Sequence, residues 1–172
     1  NVRFGDPETQ PMLMRLRKGF VPSLLVALAT VQGQSGASGD QPPVFLLAWG
    51  THGTGFGQFW EPHGLALRGT SEVFVADWQN ARVQRFTSNG AFSTTWGTWG
   101  YAAGQFIGPS AVAVDATGKV YVADSNNHRV QIFTGSGAFL GTFGSYGSGN
   151  GQFEYPFGIA IDATGNIFVA DY

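Results

Sequence analysis

The 172-residue sequence has no cysteine, two methionines and only 12% charged residues. Without cysteine there is no disulfide framework, no thiolate metal site and no lipidated cysteine to act as an anchor. Positive charge is scarce too. From Val44 onward five bases (Arg68, Arg82, Arg85, Lys119, Arg129) face eight acids (Glu61, Glu72, Asp77, Asp115, Asp124, Glu154, Asp162, Asp171), a balance of −3. A phosphate-binding face needs clustered cations, so nucleic acid is not an expected partner. What is abundant is glycine, with 26 residues, and aromatic residues, at 15%. That supply suits short strands joined by tight turns.

The first part of the chain differs from the rest. Residues 1–13 precede Met14 and read as a non-native leader. Arg15, Arg17 and Lys18 follow, then an apolar run from Phe20 to Ala29 that closes on Ala27-Leu28-Ala29. A basic start, a short apolar stretch and a small-residue cleavage site form a secretory signal peptide over 14–29. The run is about half the ~20 residues of a membrane-spanning helix, so no span is expected after cleavage. Residues 30–43, rich in Gly, Ser, Gln and Pro, read as a flexible linker. The expected location is secreted or periplasmic.

A repeat organises residues 44–172. "GQF" begins at Gly57, Gly104 and Gly151, and "VAD" at Val75, Val122 and Val169, each spaced by 47 residues. Three ungapped repeats result, 50–96, 97–143 and 144–172. Each full repeat holds four short apolar runs separated by turn chemistry. In the second these are Ala111 to Val114, Val120 to Ala123, Arg129 to Phe133 and Ala138 to Phe143, with "DATGK" as a hairpin turn between the first two. Both faces of these runs are largely apolar, so each sheet must be covered on both sides, as radial packing achieves. Alanines at 66, 113 and 160 suit an innermost strand where sheets converge. A period of about 40–50 residues for four strands is that of a propeller blade.

The second repeat, with "GQF", "DSNNHRVQIF" and "VYVAD", and the third, with "GIAID" and "GNIFVAD", resemble NHL repeats. The resemblance implies an all-β fold, a β-propeller of four-stranded blades, here incomplete: one outer strand (Val44 to Trp49), two full blades and half of a third. It says little about function, because propellers host many.

The repeat acts as an internal control. Residues kept at one slot in every blade build the blade. Asp77, Asp124 and Asp171, Asn80 and Asn127, and Arg82 and Arg129 recur in this way, and are expected to form turns and ion pairs. Asp115 and Asp162 in "DATG" are expected to serve a hairpin turn rather than a calcium loop, which needs further oxygen ligands. The loops "GTGFGQF" and "GSGNGQF" precede no helix and are not expected to cradle phosphate. Residues that change between blades, on the loops before strand one and after strand two, are the candidate ligand-binding set: Trp60, Glu61, His63, Trp78, Gln79, Tyr155 and Phe157. Ile107, Gly108, Ser110, Ser125 and Asn126 occupy the same loops in the second blade and are expected to be displayed with them.

Three functions compete. The first is a binding scaffold for a protein, peptide or glycan, with no cofactor and no catalytic residue. The second is a metal-dependent lyase: "FWEPHGLAL" is similar to the segment that supplies histidine ligands in peptide α-amidating lyases, which would make His63 a ligand. The matching slots hold Ser110 and Phe157, and His52 and His128 stand elsewhere in their repeats, so no metal site is expected. Streptogramin-lyase-like propellers share the "P.G" opening, but no catalytic pair is identified. The third, nucleic-acid binding, fails on charge. His63 is expected to be a loop residue near the channel mouth.

Expressed from Met14 in a bacterium, the protein should leave the cytoplasm and lose its leader near Ala29. N-terminal sequencing of the exported product checks this; an uncleaved cytosolic product contradicts it.

Overall fold

The computed structural model describes residues 26–28 and 47–172. The leader at 1–13, the linker at 30–43 and all of the signal segment except 26–28 lie outside the described residues. Two four-stranded antiparallel sheets form the centre. The first blade runs β5 (Pro62–Arg68), β6 (Glu72–Asp77), β7 (Arg82–Thr87) and β8 (Phe92–Trp96) in that spatial order. The second runs β9 (Pro109–Val114), β10 (Val120–Asp124), β11 (Arg129–Phe133) and β12 (Phe139–Phe143). A third begins with the hairpin β13 (Pro156–Ile161) and β14 (Ile167–Asp171). Upstream, β2 (Leu47–Trp49) pairs antiparallel with β1 (Val26–Leu28). The short β3 (Thr51–His52) and β4 (Gln58–Phe59) pair in parallel. The same crossing recurs as single bridges, Trp99 to Phe106 and Tyr146 to Phe153.

This is the expected propeller arrangement, with strands one to two residues longer at some ends than the apolar runs suggest. The first strands lie side by side at the inner edge, β9 between β5 and β13. The approach is close enough that a Cβ on Gly64 would sit 2.5 Å from the Ala111 Cα and 2.8 Å from the Ser110 carbonyl oxygen. A side chain there would force the two inner strands apart, so glycine is required by packing.

Between the blades lies one apolar core. Phe74, Ala76 and Val83 of the first blade meet Phe106, Val112, Val120, Val122 and Phe133 of the second, all at most 4% exposed. Trp96, from the outer strand β8, seals the seam against Phe133 at 5.8 Å between ring centroids. On the other side of the first blade, Phe59, Val73, Val75 and Phe86 form a smaller cluster sealed by Trp49. Trp49 thus does for the first blade what Trp96 does for the second, as its slot in the repeat predicts. Fully burying each valine or phenylalanine of these clusters contributes about 1.5–3 kcal/mol.

One strand departs from the expected alternation. Gln131, between apolar Val130 and Ile132, is fully buried, as is its counterpart Gln84, while Ile132 is half-buried. Each glutamine amide donates to a carbonyl of its repeat's opening loop, Gln84 to Gln58 at 2.7 Å and Gln131 to Gln105 at 2.7 Å, and to the aspartate ending the second strand, Asp77 at 3.1 Å and Asp124 at 3.0 Å. Burial is tolerated because every polar atom of the amide finds a partner.

The "DATG" aspartates serve turns. Asp162 accepts from the N–H groups of Thr164 and Asn166 and from both of those side chains. The side chains of Asn166 and Thr164, with those backbone groups, hold its carboxyl down to about 2. Burial raises Asp115, but donation by Thr117, Tyr121 and the Lys119 N–H more than offsets it, and its carboxyl too lies below its ordinary value.

Phe133→Ala should lower stability in urea melts by about 3–5 kcal/mol, because it opens the inter-blade core. Leu140→Ala, at a site 50% exposed, should change it by less than ~1 kcal/mol.

Candidate functional site

The loop before strand one and the loop after strand two are tied together in each blade. The N–H of Trp78 donates to the Glu61 carbonyl and that of Gln79 to the Trp60 carbonyl, at 3.3 and 3.1 Å. In the second blade Ser125 and Asn126 donate to Gly108 and Ile107. In the third Tyr172 donates to Tyr155. The two loops therefore share one end of the blade, as the repeat predicts.

An aspartate clamp fixes the position of these loops. The buried Asp77 carboxylate accepts from the Trp60 N–H (2.8 Å), Asn80 (2.9 Å) and Arg82 (2.8 Å). The Arg82 guanidinium in turn donates to the carbonyls of Thr54, Gly55 and Gln58, each at 2.8 Å. Asp124 repeats the pattern with the Ile107 N–H, Asn127 and Arg129. Burial pushes the Asp124 carboxyl up, against Asn127, the Ile107 N–H and Arg129, which favour its charged form. The recurring Asp, Asn and Arg are therefore architectural. In the first two repeats the loop turns its carbonyls toward a guanidinium, Arg82 or Arg129, an arrangement for a cation and not for phosphate.

The seven candidate residues fall into separate contacts. His63, Trp78 and Phe157 form one group: His63 stacks on Trp78 at 4.6 Å with 22° between planes, and Phe157 lies 5.6 Å from His63 and 6.0 Å from Trp78. Glu61 and Gln79 are joined by a 3.0 Å hydrogen bond. Trp60 is 44% exposed and meets His52 edge-on at 5.7 Å. Tyr155 belongs to another cluster, with His128 at 5.6 Å and Tyr146 beyond it. His128 also contacts the Glu154 carbonyl through Nδ1.

Two expectations need correction. His63 is not a loop residue. It is the second residue of β5, at a register break where Pro62 pairs with Asp77 and Gly64 with Ala76. The bulge leaves His63 unpaired and turns its ring out of the sheet. Second, Gly108, Ser110 and Ser125 are not displayed but buried. Trp78 and His63 from the first blade meet Phe157 from the third, with the Trp78 ring against Gly108. Ser125 Oγ donates to the Pro156 carbonyl (2.6 Å) and lies within hydrogen-bond distance of Ser110 Oγ (2.7 Å). Among the described residues the hydrogen-bond partners of the two hydroxyls are each other and the carbonyls of Ala123 and Pro156.

Tyr146 was not singled out in the sequence, and His52 and His128 were weighed there only as metal ligands. His128 occupies the slot held by Ala81 in the first blade, and both adopt a left-handed backbone, φ 55° and 50°. The change from Ala to His at one slot was the available signal. Chemically, the face offers exposed π surfaces rimmed by amide, carboxylate and imidazole groups. Among the described residues, no three His, Asp or Glu side chains converge as a metal site requires.

The NHL repeat model matches residues 106–133, from the residue that ends the opening loop to the end of β11 in the second blade. No curated protein sequence matches the chain. Among solved structures it is similar to a Bacteroides fragilis protein (19% identical, 64% of this chain over 30% of that one, TM-score 0.51). It is also similar to a gluconolactonase from Xanthomonas campestris (18%, 67% over 36%, 0.50) and the virginiamycin B lyase of Staphylococcus aureus (13%, 64% over 34%, 0.49). The chain spans about a third of the length of these structures. At such identities the likeness is one of fold.

Gly108→Ala tests the aromatic group. An added Cβ would lie 2.8 Å from the Trp78 ring, at a residue with φ +69°. The left-handed conformation alone costs about 1–2 kcal/mol. The variant should lose His63–Trp78–Phe157 nuclear Overhauser contacts while keeping the β-sheet circular dichroism; retained contacts would contradict this geometry.

Proposed function

We propose that this NHL-repeat propeller is an exported binding scaffold whose loop face takes a protein, peptide or glycan. The observation that carries the reading is the His63–Trp78–Phe157 group. Phe157 is 50% exposed, and the blade does not require these rings. The second blade folds in the same way with Ser110 and Ser125 in the equivalent slots. Rigid aromatic side chains with a polar rim are the usual anchors of recognition surfaces. Glu61 and Gln79 beside Trp78 supply such a rim, already paired and so held in place. The export half of the reading rests on the basic, apolar and small-residue order of 14–29.

Labelled protein probed against oligosaccharide and peptide arrays tests this, with hits confirmed by titration calorimetry. Trp78→Ala with Phe157→Ala should weaken a confirmed ligand at least about tenfold, ~1.4 kcal/mol, without changing the melting temperature by more than a few degrees. Absence of any ligand on both arrays, or binding indifferent to the double substitution, would overturn the reading.

A further inference from the structure

The two ends of the blades differ in charge. Arg68 and Arg85 pair with Glu72, the first residue of β6, and Lys119 follows the hairpin turn before β10, all toward the end away from the loop face. At the loop end the bases are Arg82 and Arg129. Both turn inward, to Asp77 or Asp124 and to carbonyls of the opening loop. Glu61 and Glu154 are exposed on the loop face, and among the described residues neither is in an ion pair. A face that combines uncompensated carboxylates with open aromatic rings attracts cations, since both the charge and the ring quadrupole favour them.

Glu61 is a residue the blade does not require. Its backbone is left-handed, φ 51°, a conformation that a residue with a Cβ adopts only at a cost. The second blade has glycine at this slot, Gly108 with φ 69°, and the third avoids the left-handed region altogether with Tyr155. The Glu61 carboxylate is nevertheless held in place. Oε2 accepts from Gln79 Nε2 at 3.0 Å, and Oε1 has no hydrogen-bond partner among the described residues. Trp60, 44% exposed, precedes it in the chain, and the Trp78 N–H donates to its carbonyl. A positioned carboxylate with a free oxygen, beside two tryptophans, suits a planar guanidinium, which takes a carboxylate along its edge and a ring against its face.

We propose that the loop face recognises a basic peptide, an arginine side chain of which pairs with Glu61 and lies on Trp60. This rests on the binding reading above and narrows its ligands to one class. The uncharged hydroxyls of a glycan draw nothing from uncompensated carboxylates, whereas a guanidinium draws on carboxylate and ring alike. Arginine suits the site better than lysine, whose compact ammonium neither stacks on an indole nor bridges both oxygens of a carboxylate. Glu154, two repeats along the same face, extends the negative field to the third blade, so a peptide with several basic side chains gains more than a single arginine.

The probe is acetyl-Arg-Arg-Arg-Arg-amide, titrated calorimetrically into the full chain beside its citrulline counterpart, which has nearly the same shape and no charge. The arginine peptide should bind at least about tenfold more tightly than the citrulline peptide, and its affinity should fall as salt screens the pair. Glu61→Gln, which can keep the bond from Gln79, and Trp60→Ala should each weaken it at least about fivefold, and Glu154→Gln by less than about threefold. Glu61→Gly should weaken it as much while leaving the melting temperature unchanged or raised, because glycine is at ease in the left-handed conformation. A residue kept for the fold would lower that temperature. Equal binding of the two peptides, or binding indifferent to Glu61→Gln, would overturn the proposal. An oligosaccharide or uncharged peptide that binds through Trp78 and Phe157 in place of the arginine peptide would overturn it too, and leave the scaffold reading standing. If no ligand of any kind binds, both fail.

Discussion

The buried aspartate at the end of the second strand in the two full blades, Asp77 and Asp124, is the constraint on which the rest of each blade depends. Asp77 and Asp124 each gather a backbone N–H, an asparagine, an arginine and a glutamine around one carboxylate. Through Arg82 and Gln84, or Arg129 and Gln131, the clamp reaches back to the carbonyls of the loop that opens the repeat. A charge removed from water is tolerable only when it is paired and its remaining lone pairs are used. Here that condition is met by ordering a loop that has no regular structure of its own. Removing one partner would leave the others buried and unsatisfied, so the network acts as a unit.

The clamp also decides where functional side chains can stand. Because the Trp60 N–H is bound to Asp77, the residues that follow it leave the sheet at a fixed height. Glu61 takes a left-handed backbone, φ 51°, and His63 is thrown out by the bulge in β5. The inner strands converge, so side chains from the first and third blades meet across the second, provided the second carries small residues. Gly108, Ser110 and Ser125 meet that requirement. The aromatic group is thus a property of three successive repeats taken together.

Much of this was legible in the residues. The 47-residue spacing gave blades, strand order and the structural duty of Asp, Asn and Arg, because identical slots in successive blades meet identical surroundings. The burial of Gln84 and Gln131 was not legible: a polar residue after a valine in a strand reads as a surface position until its partners, an aspartate seven residues upstream and a loop carbonyl twenty-six upstream, are known. His63 read as a loop residue because a proline and a glycine flank it, and a bulge has no sequence mark distinct from a turn. Ser110 and Ser125 read as displayed because their loops are, while the Pro156 carbonyl that both contact comes from the neighbouring blade.

By itself, then, the sequence determined the repeat, the all-β propeller architecture and which residues vary between blades, since periodicity and turn chemistry are local properties of the chain. Tertiary structure decided which variable residues share a surface. The His63–Trp78–Phe157 contact spans residues up to 94 positions apart, and only the convergence of inner strands brings them within ring contact. It also decided which apolar residues remain uncovered, because the same hydrophobic slot is core or surface according to whether another sheet lies against it.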